Sequence, residues 1–222
     1  VLAGIVSLSG ATLTHAQDDE GYSDGVLEEV IVTATKRQES IQDVPISIAT
    51  LSGENLQSMF SGGEDVLALA GRVPGLYAES SNGRAAPRFY IRGLGNIDFD
   101  LAASQPVSII MDEVVMENVV LKSFPIFDME QVEVIRGPQG TLFGRNTTAG
   151  IVKFNSRRPT NDTNGYVYGS YGTYSTGNFE AAIGGSLMQD VLAGRMSVLY
   201  RTRNNWIDNG FTEEKNVMGE YT

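Results

Sequence analysis

The run from Gly137 to Asn146, GPQGTLFGRN, is where this sequence comes nearest to recognisable chemistry. A glycine-rich crossing behind the apolar strand Val132-Glu133-Val134-Ile135 is the layout from which backbone N–H groups cradle phosphate. The spacing does not support that use. A P-loop needs G-x-x-x-x-G-K-[ST]; counting back from Gly144 puts Gln139 at the first glycine, and Arg145-Asn146 replace Lys-Ser/Thr. Gly93-Leu94-Gly95 likewise lacks the closing glycine of the dinucleotide fingerprint. Nucleophilic catalysis has no materials either. Cysteine is absent, and the single histidine, His15, falls in a segment read below as a cleaved leader. Without them there is no Ser-His-Asp or Cys-His arrangement and no zinc-type site. No carboxylate pair stands out from solvated acids, and Asp98 with Asp100 lacks the rest of an EF-hand pattern. The chain reads as a non-enzyme that needs no cofactor and no metal.

Gly137-Pro138 instead fixes a turn, since Pro presets φ and Gly tolerates φ > 0. Gly140, Gly144 and Gly150 then interrupt the chain before it returns to strand at Ile151-Val152-Lys153-Phe154, a unit in which backbone must approach backbone closely. The net charge of −11 argues against nucleic acid as a partner, because phosphate affinity comes from Lys and Arg. Residues 1–16 read as the tail of a secretory signal peptide: an apolar core too short to span a bilayer, then Thr14-His15-Ala16 with small residues at −3 and −1. Residues 17–40 read as a disordered acidic linker, opening on a stretch that holds Asp18, Asp19, Glu20, Asp24, Glu28 and Glu29 with no base among them. Within it lies Val30-Ile31-Val32-Thr33-Ala34, a β-prone run among charged flanks. Two readings stand: an edge strand of the domain that follows, or an exposed peptide that adds to a partner's sheet.

Residues 41–159 read as a small α+β domain. Pro45–Leu51 alternates as a strand, and Glu54–Phe60 is a short helix with Ser52 as N-cap. Ser61–Glu64 fits a capping box before a helix over Val66–Ala70, and Pro74-Gly75 turns the chain into Leu76-Tyr77. Arg88–Arg92 sets Phe89 and Ile91 against Arg88, Tyr90 and Arg92. Val107–Met111 and Val114–Met116 form a hairpin about Asp112-Glu113, and Phe127–Gln131 is a helical turn. Beyond Pro159 the pattern changes to roughly ten-residue alternating strands of transmembrane-barrel type. Asn178–Leu187 sets Phe179, Ala181, Ile183, Gly185 and Leu187 against Asn178, Glu180, Ala182, Gly184 and Ser186. Arg195–Arg203 sets Met196, Val198, Tyr200 and Thr202 against Arg195, Ser197, Leu199, Arg201 and Arg203. Tyr174-Ser175 and Met188–Gly194 would connect these strands at opposite ends, and Trp206 would be an interfacial aromatic. A soluble sandwich shows the same alternation.

VEVIRGPQGTLFGRNTTAG followed by RRPT closely resembles the end of the plug domain of TonB-dependent outer-membrane receptors. Phe89-Tyr90-Ile91-Arg92-Gly93-Leu94-Gly95 and Glu29-Val30-Ile31-Val32-Thr33-Ala34, which is similar to the TonB box, agree with it in order. The sequence departs from the family where Glu113 follows Asp112, a position usually Gly, which puts a tight two-residue turn in question, and at Ala149, also usually Gly. The resemblance implies a fold: an α+β plug, a small mixed sheet with short helices, followed over residues 160–222 by the first antiparallel strands of a transmembrane β-barrel. The missing initiator Met and the end at Tyr221-Thr222 read as a piece of a longer chain.

The resemblance also implies a function: TonB-dependent import across the bacterial outer membrane of a scarce ligand of siderophore, haem, cobalamin or glycan type, a ferric siderophore among them. The partners it implies are the periplasmic domain of TonB, at Glu29, Val30, Ile31, Val32, Thr33 and Ala34, the ligand, and outer-membrane lipid, with the receptor a monomer. The dozen residues between Ala16 and the box leave no room for an N-terminal signalling domain. Arg92, Arg136 and Arg145 would meet carboxylates of the barrel wall, where the residues alone allow solvated surface arginines. Ser81, Asn82, Arg84, Asn96, Asp98, Phe99 and Asp100 would contact ligand from loops. A soluble periplasmic or surface β-rich binding protein is the alternative.

Overall fold

The computed structural model describes residues 29–60, 65–81, 83–98, 100, 103–188 and 191–204. The expected leader, the acidic stretch to residue 28, the Ser61–Glu64 capping box, Asn82, Phe99 and Trp206 lie outside them. In chain order the elements are β1 (Ile31–Val32), β2 (Glu39–Ser40), β3 (Ser47–Ser52), α1 (Gly53–Phe60), β4 (Leu76–Glu79), β5 (Arg88–Ile91), β6 (Val107–Met111) and β7 (Val114–Val115). There follow β8 (Met129–Arg136), α2 (Gly140–Phe143), β9 (Gly150–Ser156), β10 (Asn164–Gly172), β11 (Thr176–Met188) and β12 (Leu192–Thr202), with 3₁₀ turns at Val66–Gly71, Val119–Lys122 and Thr173–Ser175.

Five strands form the central sheet in the order β3-β8-β9-β6-β7, antiparallel except for the β6–β9 pair. Side chains alternate across it. Val132, Val134, Val152 and Phe154 join Val107 and Ile109 on one face. Leu56 and Phe60 of α1, Leu69 and Val73, and Phe89 and Ile91 of the β4–β5 hairpin belong to the same core. Each fully buried side chain of this size contributes roughly 1.5–3 kcal/mol, so this face supplies most of the hydrophobic stabilisation. The second face has a smaller buried cluster, Ile110, Ile135 and Ile151 with Ala34 packed against them, bordered by the partly buried Ile46, Ile48, Val115 and Phe143. Glu133 and Lys153 share that second face by the same alternation and have no exposed surface.

The strand–crossing–strand unit, the mixed sheet and the hairpin about Asp112-Glu113 are as the sequence predicts, and four local expectations are corrected. Phe127–Gln131 is not a helical turn. Asp128 takes φ 50°, its carbonyl accepts from Arg157 N at 3.0 Å, and Met129 already pairs with Ser156, with a bulge before Gln131. The Val66–Gly71 turn is capped by Asp65, whose Oδ1 accepts from Leu67 N at 3.0 Å, and it winds as 3₁₀ because Ala68 N reaches the Asp65 carbonyl. α1 begins at Gly53, one residue earlier than expected, directly after Ser52, the last residue of β3. The two-residue turn survives without glycine: Asp112 and Glu113 sit at φ 45° and 72°, the primed-turn geometry that matches strand twist. Asp112 Oδ1 accepts from Ser156 N at 2.8 Å, which fixes one side of that turn.

Strands β10, β11 and β12 form a separate three-stranded antiparallel sheet. The expected Tyr174-Ser175 connection is present, with both residues at positive φ. The other connection is tighter than Met188–Gly194, because Ala193 and Gly194 already pair in the ladder and Met188 faces Leu192. Its burial runs opposite to that of a soluble sheet. Val167, Tyr171, Ile183, Leu187 and Met196 are 64–80% exposed, whereas Asn178, Glu180 and Ala182 are buried. The polar side faces inward, as Arg195 demonstrates: its Nε and Nη2 donate to Asp128 Oδ2 and Oδ1 at 2.8 and 2.5 Å, and Nη1 donates to Asn164 Oδ1 at 2.7 Å. Both partners of that ion pair are buried, so it ties the two sheets together.

Two predictions follow from this packing. A Cβ at Gly150 would stand 2.3 Å from the Ile135 carbonyl oxygen and 2.8 Å from Ile91 Cδ1, at φ 148°. Gly150→Ala should lower the stability of the α+β domain by about 2–4 kcal/mol, read as a fall in its calorimetric transition. Lys122 is buried in its 3₁₀ turn with Nζ donating to Gln105 Oε1 at 3.2 Å, and burial lowers its pKa from 10.5 to about 8. The unfolded chain then holds this proton to higher pH than the folded one, so its contribution to stability rises as pH climbs from about 8 towards 10.5 and is lost as pH falls through 8. Replacing Lys122 by Met should remove that dependence, so the variant's stability advantage shrinks across the same window in parallel thermal scans.

Candidate functional site

The segment Val30–Ala34 is seated on the sparse second face of the central sheet. β1 pairs antiparallel with β2, Ile31 opposite Ser40 and Val32 opposite Glu39, and Ile41 N donates to the Val30 carbonyl at 2.9 Å. Val32 and Ala34 are fully buried, Ile31 is partly exposed and Glu29 is exposed. Residues 31–40, placed in a linker by composition, therefore form a small two-stranded hairpin of their own packed against the domain, neither an edge strand of its central sheet nor a wholly exposed peptide. Two β-bridged residues hold little by themselves. Side chains do the rest. Thr33 N and Oγ1 donate to Glu133 Oε1 at 2.9 and 2.7 Å, and Lys153 Nζ donates to Thr33 O and Oγ1 at 3.2 and 2.8 Å. Asn155 Nδ2 reaches Glu133 Oε1 at 3.0 Å, and Gln131 Nε2 donates to the Ile31 carbonyl at 3.1 Å. Lys36 lies over the Phe143 ring at 5.1 Å, tying the end of the segment to α2.

The three arginines separate into two groups. Arg92 and Arg136 converge: Arg92 Nη2 and Arg136 Nη1 donate to Ser47 Oγ at 3.2 and 3.3 Å, and Arg136 Nη2 donates to the Pro74 carbonyl at 2.9 Å. Among the described residues neither forms an ion pair. Arg145 lies apart and grips Glu117 with two parallel bonds, Nε to Oε1 at 2.8 Å and Nη2 to Oε2 at 2.5 Å. That fork holds the Glu117 carboxyl below its ordinary range. Its carboxylate partner is thus supplied by this chain, where the resemblance implied the barrel wall.

The loops after β4 and β5 carry the remaining candidates. Ser81 accepts from Arg88 Nη2 at 2.7 Å, and Arg88 pairs with Glu79 at 3.3 Å. Arg84 is mostly exposed, with Nε 3.4 Å from Asp65 Oδ2, and its carbonyl accepts from Ser123 Oγ. Asn96, Asp98 and Asp100 follow in two successive side-chain turns: Asp98 N donates to Asn96 Oδ1 at 2.8 Å and Asp100 N to Asp98 Oδ1 at 3.0 Å. Tyr90 joins the two loops, its hydroxyl donating to Glu79 Oε1 at 2.7 Å and lying 3.2 Å from the Asn96 carbonyl. Burial and the Glu79 carboxylate raise the Tyr90 phenol above its usual range, which keeps that donor protonated. Among the described residues no three His, Cys, Asp or Glu side chains converge as a metal site.

Sequence reasoning did not single out Glu133, Lys153 and Asn155 beneath the segment, Asp128 and Arg195 between the sheets, or Glu117 opposite Arg145. Glu133 and Lys153 did carry a signal. Each is a charge in the middle of an apolar strand, VEVI and IVKF, where full burial demands a partner. Asp128 and Arg195 lie 67 residues apart and had no local signature.

Residues 40–151 match the family described as the TonB-dependent Receptor Plug Domain. The chain is 24% identical to the pesticin receptor of Yersinia pestis over 222 residues, 98% of this chain and 31% of that protein. It is 30% identical over 146 residues to the iron-regulated outer membrane virulence protein of Vibrio cholerae, 63% of this chain and 22% of that protein. The fold superposes on the ferric yersiniabactin uptake receptor FyuA of Yersinia pestis with a TM-score of 0.69 at 22% identity, covering 78% of this chain and 27% of that one. The chain therefore spans less than a third of the length of these relatives. With the mixed five-stranded sheet, the motifs in order and the three-stranded sheet apolar on its outside, it belongs to the TonB-dependent receptors, proteins of the outer membrane, and residues 40–151 match their plug domain.

Proposed function

We propose that this chain is the amino-terminal part of a receptor that imports a scarce ligand across the outer membrane, energised through TonB, with the plug gating a barrel. In this reading residues 1–16 are the leader remnant, 17–40 carry the TonB box, 41–159 are the plug and 160–222 open the barrel. The observation that carries it is the seating of Val30–Ala34. A short β-prone strand is held on the plug by two bridged residues and a few side-chain bonds, so it can be exchanged for pairing with a partner's sheet edge. A lumen of about 22 strands needs a plug, and the outer face bearing Val167, Ile183 and Met196 suits lipid.

The cargo we infer is a ferric siderophore, the class handled by the ferric yersiniabactin receptor whose fold the chain shares. Ser81, Arg84, Asn96, Asp98 and Asp100, on loops braced by Tyr90 and Arg88, are the proposed ligand contacts, together with Asn82 and Phe99. Arg92 and Arg136 are the proposed contacts to wall carboxylates, since their bonds within the plug go only to neutral oxygens. Arg145 already has Glu117.

Deleting residues 29–34 from the full-length receptor should abolish accumulation of radiolabelled ferric siderophore in iron-starved cells, while the amount of receptor in the outer-membrane fraction stays unchanged. A strain lacking TonB should show the same loss with the intact receptor. Uptake that survives both changes would overturn the transport reading.

A further inference from the structure

The geometry points to Glu113 as the residue that keeps the box locked, through Lys153 and Thr33. This deepens the transport reading and rests on it for its biological meaning. Glu133 and Lys153 are register partners on adjacent strands β8 and β9, on the same face, and neither has exposed surface. Opposite charges so placed would ordinarily pair directly. Here they form no ion pair with each other. Lys153 Nζ instead pairs with Glu113 at the tip of the β6–β7 turn. Glu133 Oε2 has no hydrogen-bond partner, while Oε1 takes donors from Thr33 N, Thr33 Oγ1 and Asn155 Nδ2.

The hydroxyl of Thr33 occupies the space between the two charges. It donates to Glu133 at 2.7 Å and accepts from Lys153 at 2.8 Å, and the backbone N–H and C=O of the same residue repeat the pattern. One residue of the box thereby contributes a donor and an acceptor twice over to a buried acid and a buried base. Glu113 makes this arrangement necessary. Its carboxylate, on a half-exposed side chain, draws the ammonium away from Glu133 and holds the ion pair open. Glu113 does so from φ 72°, a left-handed conformation that a non-glycine residue adopts at a cost, so its position is set by something other than backbone preference. Without Glu113 the ammonium is free to swing to Glu133, the two charges satisfy each other, and Thr33 is no longer required between them. The box then rests on Val32 and Ala34 packing and the β1–β2 bridges.

The test uses the full-length receptor in outer membranes from a strain lacking TonB, with no cargo added. Ala34→Cys places a thiol at a fully buried box position, and its rate of labelling by a maleimide reports release of the box. Glu113→Gly relieves the turn and removes the carboxylate, and should raise that rate about tenfold or more, a factor equivalent to about 1.4 kcal/mol. Thr33→Val should raise it similarly. The two changes together should exceed either alone by less than twofold, because they act on one contact. Val152→Cys, buried on the opposite face of the sheet, should stay slow in every variant. An unchanged rate in Glu113→Gly, full additivity with Thr33→Val, or equal acceleration at Val152→Cys would each overturn the latch. None of these readings involves uptake. Transport that proves independent of TonB would sink the transport reading and leave the labelling rates as they are.

Discussion

The constraint on which the plug depends is that its central sheet has two unlike faces, one under a continuous apolar core and one with a buried acid and a buried base among its apolar residues. Val132, Val134, Val152 and Phe154 meet α1, the Val66–Gly71 turn and the β4–β5 hairpin in a continuous core. The other face sets a smaller apolar cluster, three buried isoleucines bordered by half-buried Ile46, Ile48, Val115 and Phe143, beside a buried acid and a buried base. Such a surface is costly to cover with hydrocarbon and costly to leave incompletely hydrogen-bonded. A short segment bearing one hydroxyl and one small apolar side chain, Thr33 and Ala34, fits both requirements. The same juxtaposition of a buried acid and a buried base thus explains why this segment docks there.

The three-stranded sheet solves the inverse problem. Its strands alternate as any amphipathic strand does, so periodicity alone cannot tell which face is solvated. The direction comes from tertiary contacts. Arg195 is buried against Asp128 and Asn164 on the inner side, and Ile183, Leu187 and Met196 are left outside. Arg201 and Glu180, 3.6 Å apart, lie on that same inner side. Polar groups of the first strands are paired inward before any lipid is considered.

Much of this was legible in the sequence for physical reasons that can be named. Val132–Ile135 and Ile151–Phe154 are short apolar runs bracketed by Gly and Pro, and the close approach expected at Gly150 is observed at the Ile135 carbonyl. The alternation in Asn178–Leu187 gave the faces of β11 residue by residue. Local composition misled where a distant partner decided the conformation. Phe127–Gln131 reads as a helical turn until Asp128 is seen to serve Arg157 and Arg195. Asp112-Glu113 lacks glycine yet turns tightly, because each carboxylate has a ligand on β9 or just past its core, Ser156 N and Lys153 Nζ. Residues 31–40 read as linker, since the groups that seat them lie 100 or more residues away.

The buried pair of Asp128 and Arg195 gives strand β8 a second identity. Glu133 near its middle holds Thr33, and Asp128 just before its start is clamped by a guanidinium of β12. Five residues of extended backbone, about 17 Å, separate these two attachments. The docked segment is thereby connected along one strand to the Arg195 guanidinium of β12. Strand β3 is hydrogen-bonded along one side of that strand and β9, with β6 and β7 beyond it, along the other, so a pull on the segment meets the whole central sheet.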